Sequence, residues 1–119
     1  MYNILASWEY ESKFYVGWED QAFAGYNLRD GDMWWSWRGA GADTDRYFYR
    51  LDNLNMPELS ETPYRTLSGY NALERPWYTI AEDETGPVAG RVFINTAAGI
   101  PVLTISVPFF DSDGNRLGV

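Results

Sequence analysis

The sequence predicts an α+β fold: about five antiparallel strands with one or two helices packed on one face. Two strand-like runs, Phe14-Tyr15-Val16-Gly17-Trp18 and Ala22-Phe23-Ala24-Gly25-Tyr26-Asn27-Leu28, flank the polar turn Glu19-Asp20-Gln21 and read as a hairpin. A run opened by Pro76, acidic at Glu82, Asp83 and Glu84 and stopped by Gly86-Pro87, reads as a helix. A long β-branched strand from Pro101 to Phe110 runs into the turn sequence Asp111-Ser112-Asp113-Gly114-Asn115.

The remaining elements follow in order. Residues 2–12, with Ile4, Leu5 and Trp8 and no Gly or Pro, read as the end of a helix entering a sheet. After the hairpin, Arg29-Asp30-Gly31-Asp32 is a turn leading into Met33-Trp34-Trp35-Ser36-Trp37. Residues 38–45 form a small, polar loop expected to be mobile, and Tyr47-Phe48-Tyr49 is a short strand. Asn53, Asn55, Pro57, Ser60, Pro63 and Ser68 make residues 52–68 a long irregular crossing segment, a kind that is usually functional or mobile. Val88 to Asn95 reads as a strand, Thr96 to Gly99 as a turn, and Leu117-Gly118-Val119 as the start of a last strand.

Composition narrows the function classes. At 119 residues the chain fits one domain able to bury a core, and 45% hydrophobic content excludes wholesale disorder. Aromatic residues reach 18%, so either the core is aromatic or aromatics line a groove. A net charge of -8, with Lys13 the one lysine, argues against nucleic acid and against attachment to anionic membrane. No apolar run is long enough to span a bilayer, and Met1-Tyr2-Asn3 does not open a signal peptide. The absence of cysteine removes disulfides and thiolate chemistry, and the absence of histidine removes the usual general base and the commonest metal ligand. No catalytic residue, resident metal or cofactor is expected, and the chain is not read as an enzyme.

The segment Tyr70-Asn71-Ala72-Leu73-Glu74-Arg75-Pro76-Trp77-Tyr78 carries the chemistry. Pro76 biases Arg75 away from helix while suiting the first helical turn itself. A guanidinium fork beside backbone N–H groups and phenol hydroxyls suits a carboxylate. The competing reading makes Trp77 and Tyr78 core aromatics and Arg75 a surface ion-pair partner, and residue types alone lean that way. Asp111, Asp113 and Asn115 alternate like the opening of a calcium loop, but the glycine comes two positions early, so a hairpin turn explains them better. Gly39-Ala40-Gly41 lacks the context of a phosphate-binding loop. Trp34, Trp35 and Trp37 could form a sugar-stacking platform, although packing of one face into the core is the better reading.

Ordered segments resemble the Cache family of extracytoplasmic sensor domains. Phe14-Tyr15-Val16-Gly17-Trp18-Glu19-Asp20 with Gly25-Tyr26 is similar to its first hairpin, and Arg75-Pro76-Trp77-Tyr78 with Gly86-Pro87-Val88 to its central helix and next strand. Leu103 to Val119 is similar to its final hairpin. The likeness runs from about residue 13 to 119 and is nearest to the membrane-distal module of double Cache domains. It implies a PAS-like five-stranded antiparallel sheet with helices packed on one face. It also implies that residues 1–119 are one sensor module, excised from a membrane-anchored receptor that is a kinase, cyclase or chemoreceptor. Its place would be extracytoplasmic, periplasmic or extracellular, with homodimerisation through the parent receptor left open.

The same resemblance implies a small carboxylate-bearing ligand, an amino acid or organic acid. Tyr70, Arg75, Trp77 and Tyr78 match the family's amino-acid-binding pattern, with Tyr70, Arg75 and Trp77 on the ligand carboxylate. Phe93 stands where that pattern has a Tyr, which removes a polar contact of about 1 kcal/mol from the amine side. Tyr78 and Phe93 would wall the pocket. Two rival functions remain: a structural or dimerising module without a ligand, and carbohydrate binding on the tryptophans.

Overall fold

The protein's structure is a computed structural model that describes residues 12–29, 32–42, 44–51, 62–95 and 99–119. The two runs that flank the polar turn are β1 (Ser12–Gly17) and β2 (Phe23–Arg29), paired antiparallel from Ser12–Leu28 to Gly17–Phe23. The tryptophan-rich run is β3 (Asp32–Arg38), followed by β4 (Arg46–Leu51) and the short β5 (Arg65–Leu67). These five strands form one sheet in the order β1-β2-β3-β4-β5.

Pairing register decides which side chains share a face. Tyr15, Gly25, Ser36 and Phe48 lie in one row, and Gly17, Phe23, Arg38, Arg46 and Leu67 in the neighbouring row of the same face. The opposite face carries Tyr26, Leu28, Met33 and Leu51, a buried cluster with Trp35 packed against it. The first face is covered by residues from later in the chain: Phe23 packs with Ala72, Tyr78, Ala81 and Val119, flanked by Tyr15, Tyr70 and Trp77.

Two glycines make that covering layer fit. A Cβ on Gly25 would overlap the Tyr15 ring, and one on Gly17 would stand 2.9 Å from the Trp77 ring and 3.1 Å from the Tyr78 ring. Glycine weakens a strand, so its presence in two paired strands reflects this close approach of rings.

The expected fold class is corrected by the structure. The described residues are mainly antiparallel strand, and among them no helical layer covers a face of the sheet. The run read as a helix over 76–84 holds one turn of α-helix, α1 (Pro76–Thr79), preceded by a 3-10 turn over Ala72–Glu74. Beyond Thr79 the chain continues in i→i+3 bonds, Glu82 N–H to the Thr79 carbonyl and Glu84 N–H to the Ala81 carbonyl. Glu82, Asp83 and Glu84 put negative charge where the helix carbonyls already point, which disfavours further helix. Arg116 takes over there, donating from Nη1 to the Ala81 and Glu82 carbonyls while Nε pairs with Glu19 at 2.6 Å.

The strands of the sheet also differ from expectation. The described strands from residue 88 onward form three small ladders, β6 (Val88–Ala89) with β9 (Ile105–Ser106), β7 (Phe93–Asn95) with β8 (Ile100–Val102), and β10 (Phe109–Phe110) with β11 (Arg116–Gly118), and meet the five-stranded sheet at a bridge between Trp18 and Gly118. The long strand expected over 101–110 is thus in three pieces, and Pro101 and Pro108 within it have no N–H for a ladder. The C-terminal hairpin lies along the end of β1: Gly17 and Val119 exchange N–H···O bonds of 2.9 Å, and Glu19 N–H donates to the Leu117 carbonyl. The helix expected over residues 2–12 lies outside the described residues except at Ser12, as does most of the 52–68 crossing.

The loop after β3 is pinned rather than loose. Arg38, 3% exposed, donates to the carbonyls of Thr44, Gln21, Gly39, Gly41 and Ala42, the shortest 2.6 Å to Gln21. Gln21 itself sits at φ 75, a strained turn position held by that bond.

Chemical denaturation tests both devices. Gly25→Ala should destabilise the protein by about 1–3 kcal/mol, because the Tyr15 ring must leave its place. Arg38→Ala should cost about 3 kcal/mol through several unpaired carbonyls. A loss below about 0.5 kcal/mol in either variant would contradict the packing described.

Candidate functional site

The chain leaves β5 through Ser68 and Gly69, which turns at φ 75. That turn brings Tyr70 back over the sheet, edge-on to Phe23 with ring centroids 5.2 Å apart. Asn71 then caps the 3-10 turn, its Oδ1 accepting the Leu73 N–H at 3.1 Å, and Ala72 is fully buried beneath. Arg75 is extended at φ -82, ψ 142, and Pro76 starts α1, as the sequence predicts. α1 is four residues long, too short for a helix N-terminus to add an anion site.

An open pocket of about 350 Å³ lies on this segment, lined by Leu67, Ser68, Gly69, Tyr70, Asn71, Glu74 and Arg75. Its volume is at the small end for ligand sites. Arg75 is exposed at its mouth with its guanidinium 6.0 Å from the Tyr70 ring centre. Of the five residues expected at a site, Tyr70 and Arg75 line this pocket.

The other three are placed differently. Trp77 is half-buried beside Tyr15 and Phe23, with ring centroids 5.7 and 6.2 Å away, and its carbonyl accepts the Ser106 hydroxyl at 2.5 Å. Tyr78 is 1% exposed in the core and does not reach the pocket. Burial, helped by the nearby Glu19 carboxylate, keeps its phenol protonated well above the ordinary tyrosine range. Phe93 lies on β7 opposite Val102, and its side chain is outside the described residues.

Sequence reading missed the charge at the centre of the layer. Arg46, 7% exposed, points from β4 into the covered face. Its guanidinium carbon stands 4.4 Å from the Phe23 ring centre, 4.4 Å from Tyr70, 4.5 Å from Phe48 and 5.9 Å from Tyr15. Nε and Nη2 donate to Ser36 Oγ at 3.2 and 2.9 Å. Burial lowers the Arg46 pKa, opposed by the Tyr70 and Tyr15 phenols. One signal lies in the sequence: Arg46 alternates with Phe48, so a charge shares the face of an aromatic strand residue.

The remaining motifs resolve as structure. Trp34 and the pair Trp35–Trp37 alternate onto opposite faces, so they share no platform. Trp35 stacks on Tyr49 and Trp34 meets Tyr64 edge-on, while Trp37 Nε1 is buried. Asp111 Oδ1 accepts the Asp113 and Asn115 N–H groups at 2.9 Å each, the geometry of a turn, and these bonds hold its carboxyl below the usual range.

The tyrosines in the layer make stability alkali-sensitive. Burial pushes the Tyr15 phenol up to about 12, with Arg46 pulling it the other way, and burial raises Tyr70 as well. A folded pKa above the unfolded one means the proton is held more tightly in the folded state. The contribution of Tyr15 is therefore intact below about pH 10 and lost between about pH 10 and 12, about 2–3 kcal/mol in all. Urea titrations across that window should show the loss. Tyr15→Phe should flatten part of the slope, Tyr70 and Tyr78 keeping the rest; an unchanged slope would contradict the burial of Tyr15.

Residues 40–119 match the model of a protein family described as methyl-accepting chemotaxis protein-like, first PDC sensor domain. The matched stretch covers β4, β5, the pocket, α1 and the three C-terminal ladders. No curated protein and no solved structure gives a significant match. With more than half of its length matched, this chain belongs to the family of methyl-accepting chemotaxis protein-like first PDC sensor domains.

Proposed function

We propose that this sensor domain is the extracytoplasmic ligand-sensing module of a transmembrane signalling receptor, and that it binds a small carboxylate-bearing molecule. In finer terms it is read as the membrane-distal module of a double Cache arrangement, residues 1–119 forming one unit. That reading rests on the ordered resemblance from about residue 13 to 119. The observation that carries the ligand class is the pocket shared by Tyr70 and Arg75: an exposed guanidinium and a phenol line one cleft of about 350 Å³. Tyr70 and Arg75 meet the carboxylate, with Trp77 beside them supplying an indole N–H. Phe93 is kept as a wall on the resemblance alone. Tyr78 supports the site from the core, given its burial. Membership of a sensor family, with neither cysteine nor histidine in the chain, supports binding rather than catalysis.

A second reading has one observation in its favour. Leu103, Ile105 and Val107 alternate along one side of the β9 segment at 56%, 64% and 49% exposure. Such a row suits protein contact, as in a module that relays or dimerises without a ligand.

Calorimetry against amino acids and small organic acids separates the two. Ligand sensing predicts at least one saturable binder, with affinity about 10–100-fold weaker in Arg75→Ala, the loss expected of one charge-assisted hydrogen bond. Unchanged affinity in Arg75→Ala would remove Arg75 from the site. No binder, together with concentration-dependent self-association lost in Ile105→Asp, would favour the second reading.

A further inference from the structure

Arg46 is a buried cation without a carboxylate partner among the described residues. The described ion pairs are Arg50 with Asp32 and Arg116 with Glu19, both elsewhere. Its environment is the Ser36 hydroxyl, the Tyr15 hydroxyl and four aromatic rings, all of them neutral. Ring faces attract a cation, but they do not neutralise it, and burying an unpaired charge remains unfavourable. Two more guanidiniums border the same rings: Arg65 lies 5.3 Å from the Phe48 ring centre and Arg75 lies 6.0 Å from that of Tyr70. In a chain of net charge -8, this local excess of positive charge stands out. An anion placed here would gain from Arg46 what no side chain of the described residues supplies.

Tyr70 connects this cation to solvent. Its ring touches Arg46 and also lines the pocket, whereas Arg46 does not line it. The segment carrying the ring has room to move: Ser68 and Gly69 are exposed, and a Cβ built on Gly69 would meet nothing within 4 Å. We propose that the pocket has an inner anion position at Arg46, closed by the Tyr70 ring, and that the ligand's carboxylate enters past Arg75, displaces that ring and docks on the Arg46 guanidinium. Ser36 orients the guanidinium by accepting from Nε and Nη2, and the Tyr15 hydroxyl, itself hydrogen-bonded to Arg46, borders the same position. Arg75 then serves the entrance and Arg46 the base. This inference rests on the ligand-binding role proposed for the same pocket.

The test follows the arginine side chains of the full chain by NMR while sodium acetate, sodium propionate or glycine is added, with sodium chloride at equal ionic strength as control. The expected result is a saturable shift of the Arg46 Nε–H signal with at least one of the three, absent with chloride. The chain's tryptophan fluorescence, to which Trp77 beside Tyr15 contributes, should change at the same half-saturation. Arg46→Gln should weaken binding at least tenfold and Arg46→Lys less, with folding checked by circular dichroism. If those variants do not fold, the wild-type spectra decide alone. A shift at Arg75 with Arg46 unmoved overturns the inner position and leaves the outer site standing. Movement of neither arginine, or a shift reproduced by chloride, overturns both.

Discussion

In the sheet, Gly25 lies between Tyr15 on one neighbouring strand and Ser36 on the other. With no side chain at that point, the Tyr15 ring can lie down across the strand, and the same holds at Gly17 for Trp77 and Tyr78. Everything above the sheet depends on this low floor. Tyr15 and Phe23 form a first course of rings, and Tyr70 and Trp77 close over them. A methyl group at Gly25 would lift that first course and with it the walls around Arg46.

The layer is held from its edges by two arginines in structural work. Arg38 collects five loop carbonyls beside β3 and so fixes the start of β4, where Arg46 sits. Arg116 joins the hairpin turn at Glu19 to the carbonyls that end the helical segment. Five neutral acceptors suit a guanidinium well, because its N–H groups spread in a plane and can serve several carbonyls at once. Arg46 is the odd one of the three: it meets rings and the Ser36 and Tyr15 hydroxyls instead of carbonyls or a carboxylate.

Local signals are legible where the physics is local. The hairpin of β1 and β2 follows from two strand-like runs around a short polar turn, and Arg75 is extended because Pro76 crowds the residue before it. Tyr70 and Arg75 pair within one segment because a single short turn, capped by Asn71, connects them. The helix is shorter than its start signal suggests, since Pro76 marks where a helix begins but not how far it runs against acidic residues at its far end. The C-terminal strand is broken for a related reason: β-branched residues signal extension without revealing where proline interrupts pairing.

Composition and local pattern alone determined an aromatic-rich, acidic chain without thiol or imidazole chemistry, a first hairpin, and an extended Arg75 ahead of the helical turn at Pro76. The ordered likeness to a sensor family is likewise a property of the sequence. Tertiary structure decided the rest. Strand register brought Ser36 and Arg46 together across ten positions, and the turn at Gly69 laid Tyr70 over Arg46. It likewise sent Tyr78 into the core while leaving Arg75 in solvent. A charge enclosed by rings from separate segments leaves no local trace, because its partners become neighbours only when the sheet pairs and the later chain folds across it.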